Sequence, residues 1–213
     1  MSASDQLIHK ASTCGVIPTL VIEDLHSAVP LAQALRDGGL TVLEITLRTP
    51  VALQAIQQIR QALPDLFVGA GTVLDVGAAK AAQDAGAQFL VSPGYTAAMG
   101  DYCRSKDIAL MPGVATASEI MAVLNDGYDF LKCFPAAALG GVRWLDAMRG
   151  PFPNIRFCPT GGISATDAAN YLSLPNVPCV GGSWVAPAAA LSAKDWAKIT
   201  TLARQAYEAR VST

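Results

Sequence analysis

The chain has 213 residues, of which 52% are hydrophobic and 15% are charged, and its formal net charge is -2. This length suits one domain, expected to span residues 1–213, and so apolar a chain can bury a large core, which excludes intrinsic disorder. Because the basic residues form no block and no apolar run reaches the length of a membrane span, the composition also argues against nucleic-acid and membrane partners.

The N-terminal residues and the cysteines indicate a cytoplasmic protein. No basic segment followed by an apolar stretch opens the sequence, so a signal peptide is not predicted. The five cysteines stand far apart, without the spacing of a disulfide framework or of a zinc site. We therefore expect buried, reduced thiols and no bound metal.

Short apolar runs alternate with amphipathic segments along the whole chain. The runs predict eight strands, at residues 17–22, 41–47, 66–70, 88–91, 108–111, 130–134, 155–158 and 178–180. Helices are predicted at residues 28–37, 51–62 and 76–85, with an extra N-terminal helix at 4–13 and a final helix at 193–210.

Strands that are apolar on both faces and separated by helices indicate a parallel sheet. Eight such units in a chain of this length predict an α/β fold, a single (β/α)8 TIM barrel with an extra N-terminal helix; an open doubly wound sheet is the alternative. Glycine-rich turns are predicted after many of the strands, including residues 69–72, 112–113 and 181–183, and in a barrel that end carries the active site.

One lysine stands out because it lies inside an apolar strand. The other five lysines fall in helical, solvated patterns, whereas Lys132 belongs to the run Asp-Phe-Leu-Lys-Cys-Phe-Pro. Burying an ammonium ion is costly, so a lysine there tends to lose its proton, and the neutral amine is the form that attacks a carbonyl group. Lys132 is thus a candidate nucleophile, although a salt-bridged lysine with no covalent role fits its position as well.

The second strand carries polar residues on one face. Period-two alternation puts Glu44 and Arg48 on the side opposite Leu43, Ile45 and Leu47, which predicts that this polar face points into the barrel. A buried carboxyl group there suits general acid/base work, and an arginine near the strand end suits a substrate carboxylate. A purely structural Glu44–Arg48 pair is the alternative.

The turns after the last two strands predict a phosphate site. They read Thr160-Gly161-Gly162 and Gly181-Gly182-Ser183, and barrels commonly bind phosphate at these two turns through backbone amides. Ordinary tight turns are the alternative. Thr72 also sits at a strand end, placed to contact a substrate.

Six segments together closely resemble the KHG/KDPG aldolase family, whose substrate is 2-keto-3-deoxy-6-phosphogluconate (KDPG). They are VLEITLRT (42–49), VGAGTVL (68–74), VSPG (91–94), LKCFPA (131–136), RFCPTGGI (156–163) and VGGSW (180–184). The resemblance implies a carbon–carbon lyase that cleaves KDPG to pyruvate and D-glyceraldehyde 3-phosphate in the Entner–Doudoroff pathway, and 4-hydroxy-2-oxoglutarate to pyruvate and glyoxylate. It also implies a homotrimer that needs neither a metal nor another cofactor.

The resemblance also implies a role for each matching residue. Lys132 would form a Schiff base with the keto acid and Glu44 would be the general acid/base. The residues expected to bind the substrate are Arg48, Thr72, Pro93, Thr160, Gly161, Gly162, Gly182 and Ser183. Cys133 and Ala137 depart from the family pattern. Cys133 is expected to point away from Lys132, and Ala137 bears only on aldehyde specificity.

Three alternatives stay open on the sequence. The first is an aldolase for the galactonate epimer of the substrate, or one that prefers 4-hydroxy-2-oxoglutarate. The second is a barrel isomerase or epimerase without covalent catalysis. The third is a phosphosugar-binding barrel without catalytic activity.

Overall fold

A computed structural model describes residues 2–209 of the chain. Their nine strands are β1 (Val16–Leu20), β2 (Val42–Thr46), β3 (Phe67–Gly71), β4 (Phe89–Val91), β5 (Ala109–Met111), β6 (Gly113–Val114), β7 (Phe130–Cys133), β8 (Arg156–Pro159) and β9 (Val180–Gly182). Their ten α-helices are α1 (Ala3–Cys14), α2 (Ala28–Asp37), α3 (Ala52–Ala62), α4 (Val76–Asp84), α5 (Ala97–Ser105), α6 (Ala117–Asn125), α7 (Val142–Met148), α8 (Ala168–Leu172), α9 (Ala188–Ser192) and α10 (Trp196–Ala209). A short 3-10 helix, Leu25–Ser27, precedes α2.

All strand pairs are parallel, and together the strands form a ring. Six of them are ordered β5-β4-β3-β2-β1-β9, and three more are ordered β6-β7-β8. A bridge between Thr160 and Gly181 joins the end of β8 to β9. On the other side, Pro112 alone separates β5 from β6, so these two short strands occupy one position of the ring. The result is the predicted (β/α)8 barrel.

Proline explains why the fifth barrel position holds two strands. Sequence predicted one strand at 108–111 followed by a turn at Pro112-Gly113. The turn is wrong, because the chain stays extended and Gly113 pairs with Lys132 on β7, while Met111 pairs with Val91 on β4. Proline has no N–H to donate to a strand ladder, so the ladder breaks there and changes partner.

Two glycine segments predicted as turns belong to strands instead. β3 runs through Gly71, and β9 runs through Gly182, two residues beyond the predicted end at 180. Gly71 pairs with Thr46, and Gly182 pairs with Pro18. These glycines are extended ladder residues, so their value is the absence of a side chain.

The predicted N-terminal helix forms, and it closes one end of the barrel. Ser2 and Asp5 form a capping box at its start, and Leu7, Ala11 and Cys14 are buried. Helix α1 contacts β1, β2 and β5, and it leads directly into the start of β1. It therefore covers the N-terminal ends of the strands and leaves the opposite end open for a site.

The outer helices follow the predicted pattern with small shifts at their ends. The final helix was predicted at 193–210 and begins at Trp196; its predicted last residue lies outside the described part of the chain. Helix α10 packs on α2, where Thr200 donates to the backbone carbonyl of Ala34. In residues 2–209 no helix is both long enough and apolar enough to cross a membrane.

Candidate active site

A lysine and a glutamate meet inside the barrel. Lys132 on β7 and Glu44 on β2 are only 6% and 2% exposed. The Lys132 Nζ donates a hydrogen bond to the Glu44 Oε1 at 3.2 Å. Since β2 and β7 are not neighbours in the ring, this contact crosses the barrel interior, and both side chains must point inward.

This contact contradicts one of the two predictions for Glu44. The sequence left open a structural pair between Glu44 and Arg48, and that alternative is wrong because the carboxylate pairs with Lys132. The prediction that Arg48 belongs to the inward strand face is also wrong. Strand β2 ends at Thr46, and Arg48 lies two residues later in a turn with its side chain exposed. An exposed guanidinium stays hydrated, which is less costly than burial.

Two neighbouring strands shape the space around the Glu44 carboxylate. On β3, a Cβ atom added to Gly71 would lie 2.1 Å from the Glu44 Oε1, so only glycine leaves room for this side chain. On β1, the hydroxyl of Thr19 donates to the Glu44 Oε2 at 3.4 Å. Thr19 was not among the predicted site residues. Its hydroxyl within the apolar run Ile-Pro-Thr-Leu-Val-Ile was the signal that could have identified it.

An aromatic ring lies over the lysine amine. The Nζ of Lys132 is 5.5 Å from the centre of the Phe134 ring, and Phe134 is 37% exposed. A Cβ added to Gly161 would lie 3.2 Å from the same ring. Phe134 therefore connects the amine to the glycine turn after β8. It was not among the predicted site residues.

Thr72 adopts a backbone conformation that a β-branched residue rarely takes. It follows β3 directly, and its φ is 59°, in the left-handed region. A non-glycine residue held there costs on the order of 1–3 kcal/mol and persists only where its surroundings fix it. The strain falls on a predicted substrate-binding residue, immediately after the glycine that makes room for Glu44.

Pro93 lies beside the strand that pairs with Lys132. It follows β4, and a Cβ added to Gly113 would lie 2.3 Å from its carbonyl oxygen. Gly113 in turn is the register partner of Lys132. Pro93 is thus close to Gly113, which pairs with Lys132.

The predicted phosphate residues lie in two neighbouring segments, at the ends of β8 and β9. Thr160 is buried and bridges to Gly181, and a Cβ on Gly181 would lie 2.2 Å from its hydroxyl oxygen. Gly161 and Gly162 have φ values of 99° and 75°, which glycine adopts at no steric cost. Gly182 lies under the ring of Trp184, and Ser183 follows it with an exposed side chain.

The two residues that depart from the family pattern, Ala137 and Cys133, lie in different surroundings. A Cβ added to Gly162 would lie 2.7 Å from the Cβ of Ala137, so Ala137 faces the predicted phosphate turn. Cys133 is buried, and burial, with a smaller effect from Cys158, raises the pKa of its thiol to about 12. As predicted, all five cysteines are buried, and each is a thiol outside any disulfide of residues 2–209.

A cavity of about 480 Å³ adjoins this site. It lies between the segment after β1 and the segment after β9, and its wall includes both Thr19 and Ser183. Lys132 and Glu44 do not line it, so the cavity is a neighbour of the amine–carboxylate pair. The ion pair of Lys194 with Asp24, at 3.2 Å, lies at the same cavity.

No potential metal site occurs among residues 2–209, where no three histidine, cysteine, aspartate or glutamate side chains are grouped to hold an ion. Both histidines lie within this part of the chain, His9 on α1 and His26 in the 3-10 helix.

A parallel barrel with a buried amine–carboxylate pair and glycine turns at the strand ends defines the class: a (β/α)8-barrel enzyme. Residues 7–202 match the model of the KDPG and KHG aldolase family. The chain belongs to this family.

Relatives of known name agree with this assignment. The 2-dehydro-3-deoxy-phosphogluconate aldolase of Pseudoalteromonas atlantica is 52% identical over 191 residues, which are 90% of this chain and 89% of the relative. The KHG/KDPG aldolase of Escherichia coli is 48% identical over 197 residues, 92% of each chain. A crystal structure of the KDPG aldolase from Legionella pneumophila, with pyruvate captured as a covalent carbinolamine, is 47% identical with a TM-score of 0.88, covering 92% of this chain and 96% of that one.

Proposed function

We propose that the protein is a class I aldolase that cleaves 2-dehydro-3-deoxy-6-phosphogluconate to pyruvate and D-glyceraldehyde 3-phosphate. The observation that carries the proposal is the buried contact of 3.2 Å between the Lys132 Nζ and the Glu44 Oε1 inside the barrel. A carboxylate at this distance can take the proton that the amine must lose before it attacks a ketone. The relatives named above, one of which was captured with covalent pyruvate, support the same chemistry.

The proposed reaction begins with attack of the Lys132 amine on the C2 ketone. Glu44, which holds the proton taken from the amine, protonates the hydroxyl group of the carbinolamine. Water leaves and a protonated imine forms, which is an electron sink next to C3. Glu44 takes the proton of the C4 hydroxyl, the C3–C4 bond breaks, and its electron pair moves into the C3–C2 bond. Glyceraldehyde 3-phosphate leaves and an enamine remains on Lys132.

The second half of the reaction restores the enzyme. The protonated Glu44 gives its proton to C3 of the enamine, which becomes the methyl group of pyruvate, and water hydrolyses the imine. Proton transfer from a positioned group contributes roughly 10²–10⁴-fold to such a step. The protonated imine serves as the electron sink, so the proposed steps require neither a metal nor an organic cofactor.

The remaining predicted residues would hold the substrate at its two ends. Arg48 and Thr72 bind the carboxylate in this proposal, and Pro93 shapes the wall beside them. The phosphate would be held by Thr160, Gly161, Gly162, Gly182 and Ser183. The exposed guanidinium of Arg48 supports its part, since it is available to fork onto a carboxylate at the mouth of the barrel.

Borohydride trapping tests the proposal. We expect incubation with pyruvate followed by reduction to add the mass of pyruvic acid less one oxygen atom to Lys132, because the reduced imine is a stable amine. Peptide mass mapping locates the adduct, with Lys198→Ala as a control that keeps it and Lys132→Ala as the variant that loses it. Absence of the adduct, or an adduct that persists in Lys132→Ala, would contradict the proposal.

Cleavage of 4-hydroxy-2-oxoglutarate is a second proposed activity. It is favoured by the family description and by the Escherichia coli relative, which name both substrates. These activities are separated by measuring turnover of three substrates side by side. They are the phosphorylated gluconate substrate, its galactonate epimer and the unphosphorylated 4-hydroxy-2-oxoglutarate. A barrel without lyase activity would turn over none of them.

We also propose that the protein is a homotrimer. Large apolar side chains that are well exposed in the single chain support an additional covered surface, and Leu74 and Met121 are 61% and 63% exposed. Sedimentation equilibrium is expected to give three times the mass of one chain. A mass of one chain would contradict the trimer and leave the aldolase proposal standing.

A further inference from the structure

The two oxygens of the Glu44 carboxylate have different partners. The Oε1 accepts from the Lys132 amine at 3.2 Å, and the Oε2 accepts from the Thr19 hydroxyl at 3.4 Å. Within residues 2–209 these are the side-chain hydrogen bonds that the carboxylate makes. One oxygen thus faces the nucleophile while the other is held by the barrel wall.

Sheet register places Thr19 where this contact is possible. Thr19 on β1 is the Cα partner of Glu44 on β2, and partners on adjacent parallel strands point to the same side of the sheet. On the far side of β2, Gly71 leaves space that the Glu44 Oε1 fills. The carboxylate is therefore confined between the Thr19 hydroxyl and the bare backbone of β3.

We propose that Thr19 is a positioning residue for the lyase reaction: its hydroxyl holds the Glu44 carboxylate in the orientation that proton transfer at C3 and C4 requires. The proposal rests on the proposed function of the Lys132–Glu44 pair. With the Oε2 fixed, the Oε1 stays directed at the substrate carbons attached to Lys132. Without the hydroxyl, the carboxylate can rotate about its terminal torsion, and the productive orientation becomes one of several.

The cavity beside Thr19 determines which substitution is informative. Thr19 lines the space of about 480 Å³ that also reaches Ser183. In Thr19→Ala the vacated volume opens to this cavity, so a water molecule can enter and restore part of the hydrogen bond. Valine keeps the shape of threonine and removes only the hydroxyl, so Thr19→Val leaves the Glu44 Oε2 without a donor.

The experiment separates proton transfer from imine formation. In deuterated buffer an enzyme-bound enamine exchanges the methyl protons of pyruvate with solvent, and proton NMR follows the loss of the methyl signal. Relative to the wild type, we expect Thr19→Val to slow this exchange and kcat for cleavage about tenfold, the low end for a hydrogen bond to a charged group. The KM and the yield of the borohydride adduct on Lys132 are expected to stay unchanged.

Two further variants serve as references. Thr19→Ser retains the hydroxyl and is expected to recover most of the exchange rate, which a purely structural role for the methyl group would not produce. Thr200→Val removes a hydroxyl that bonds α10 to the Ala34 carbonyl, away from the site, and is expected to exchange at the wild-type rate.

The outcomes are distinct. Wild-type exchange in folded Thr19→Val, with normal trapping, overturns the role of Thr19 and leaves the aldolase proposal intact. If valine prevents folding, Thr19→Ala takes its place. Because water restores only part of the hydrogen bond in that variant, a smaller slowing of exchange is expected, and wild-type exchange there also overturns the role. No adduct in the wild-type protein overturns the proposed function itself.

Discussion

Burying the Lys132–Glu44 pair costs hydration free energy, and other contacts in the barrel must compensate for that loss. Each ion loses several kcal/mol of hydration in such a place, and a buried pair of this kind is often no more stable than apolar residues of the same volume. Three contacts reduce that cost: the pair itself, the Thr19 hydroxyl on the Glu44 Oε2, and the Phe134 ring 5.5 Å from the amine. A pair retained at this expense is better explained by chemistry than by stability.

A substitution of Ser183 tests the proposed binding of the substrate phosphate. The Ser183 side chain is exposed and lines the cavity beside the pair. We expect Ser183→Ala to raise KM about tenfold for the phosphorylated substrate, as loss of one hydrogen bond to a charged group requires, and to leave 4-hydroxy-2-oxoglutarate nearly unaffected. Steady-state kinetics with both substrates checks this prediction. Ser192→Ala, on the same cavity wall, is the control, and equal losses for the two substrates would remove the phosphate role.

Among the elements, the strands contribute to the site partly through missing side chains. Gly71 on β3, Gly113 on β6 and Gly181 on β9 each lie where a Cβ would come within 2.1–2.3 Å of a neighbouring atom. The atoms concerned belong to Glu44, Pro93 and Thr160, three of the predicted site residues. Because these glycines have no side chain, atoms of neighbouring segments can approach the strand backbone closely.

Gly71→Ala tests this role of β3. The added methyl group would lie 2.1 Å from the Glu44 Oε1, so the carboxylate must move away from Lys132. We expect kcat to fall about 10²-fold, since a displacement near 1 Å at a reacting group has an effect of this size. Overpacking should also lower the free energy of unfolding by roughly 1–3 kcal/mol. Both are measured against Gly150→Ala, where the nearest atom to the new Cβ is 4.0 Å away. Wild-type kcat in Gly71→Ala would contradict the geometry.

At the scale of the whole molecule, the interior holds ionisable groups that stay neutral. Burial raises the pKa of Cys103 to about 11, from an ordinary value of 9.0. The pKa of Tyr95 rises to about 12, from 10.0, through burial and its hydrogen bond to Asp126. Cys133 behaves in the same way. In each case the unfolded chain ionises at a lower pH than the folded chain.

This difference predicts loss of stability at alkaline pH. Because the folded-state pKa values are raised, the folded state binds more protons than the unfolded state between the two values, so stability falls as pH rises through that interval. The free energy of unfolding is expected to be flat near neutral pH and to decline from about pH 9 toward pH 12. Urea titrations across this range measure it, and Cys133→Ala should show a shallower decline. Constant stability up to about pH 11 would contradict the burial of these thiols.

The sequence by itself determined the barrel and singled out the two residues of the buried pair. Alternation of apolar runs with amphipathic segments fixed the number of βα units, because parallel strands buried on both faces must be apolar throughout. The high cost of burying charge singled out Lys132 and Glu44, since an apolar strand excludes such residues unless they have a partner. The glycine turns indicated the face of the barrel that carries the site.

Only the tertiary structure decided which groups meet. Glu44 and Lys132 are 88 residues apart in sequence, and their contact depends on closure of the ring, which no local pattern encodes. Closure also decided that Glu44 pairs with Lys132 and not with Arg48, and it brought Thr19 and Phe134 to the pair. The break at Pro112 and the extended glycines of β3 and β9 were missed for a related reason: whether proline or glycine ends a strand depends on the hydrogen-bond partners beside it.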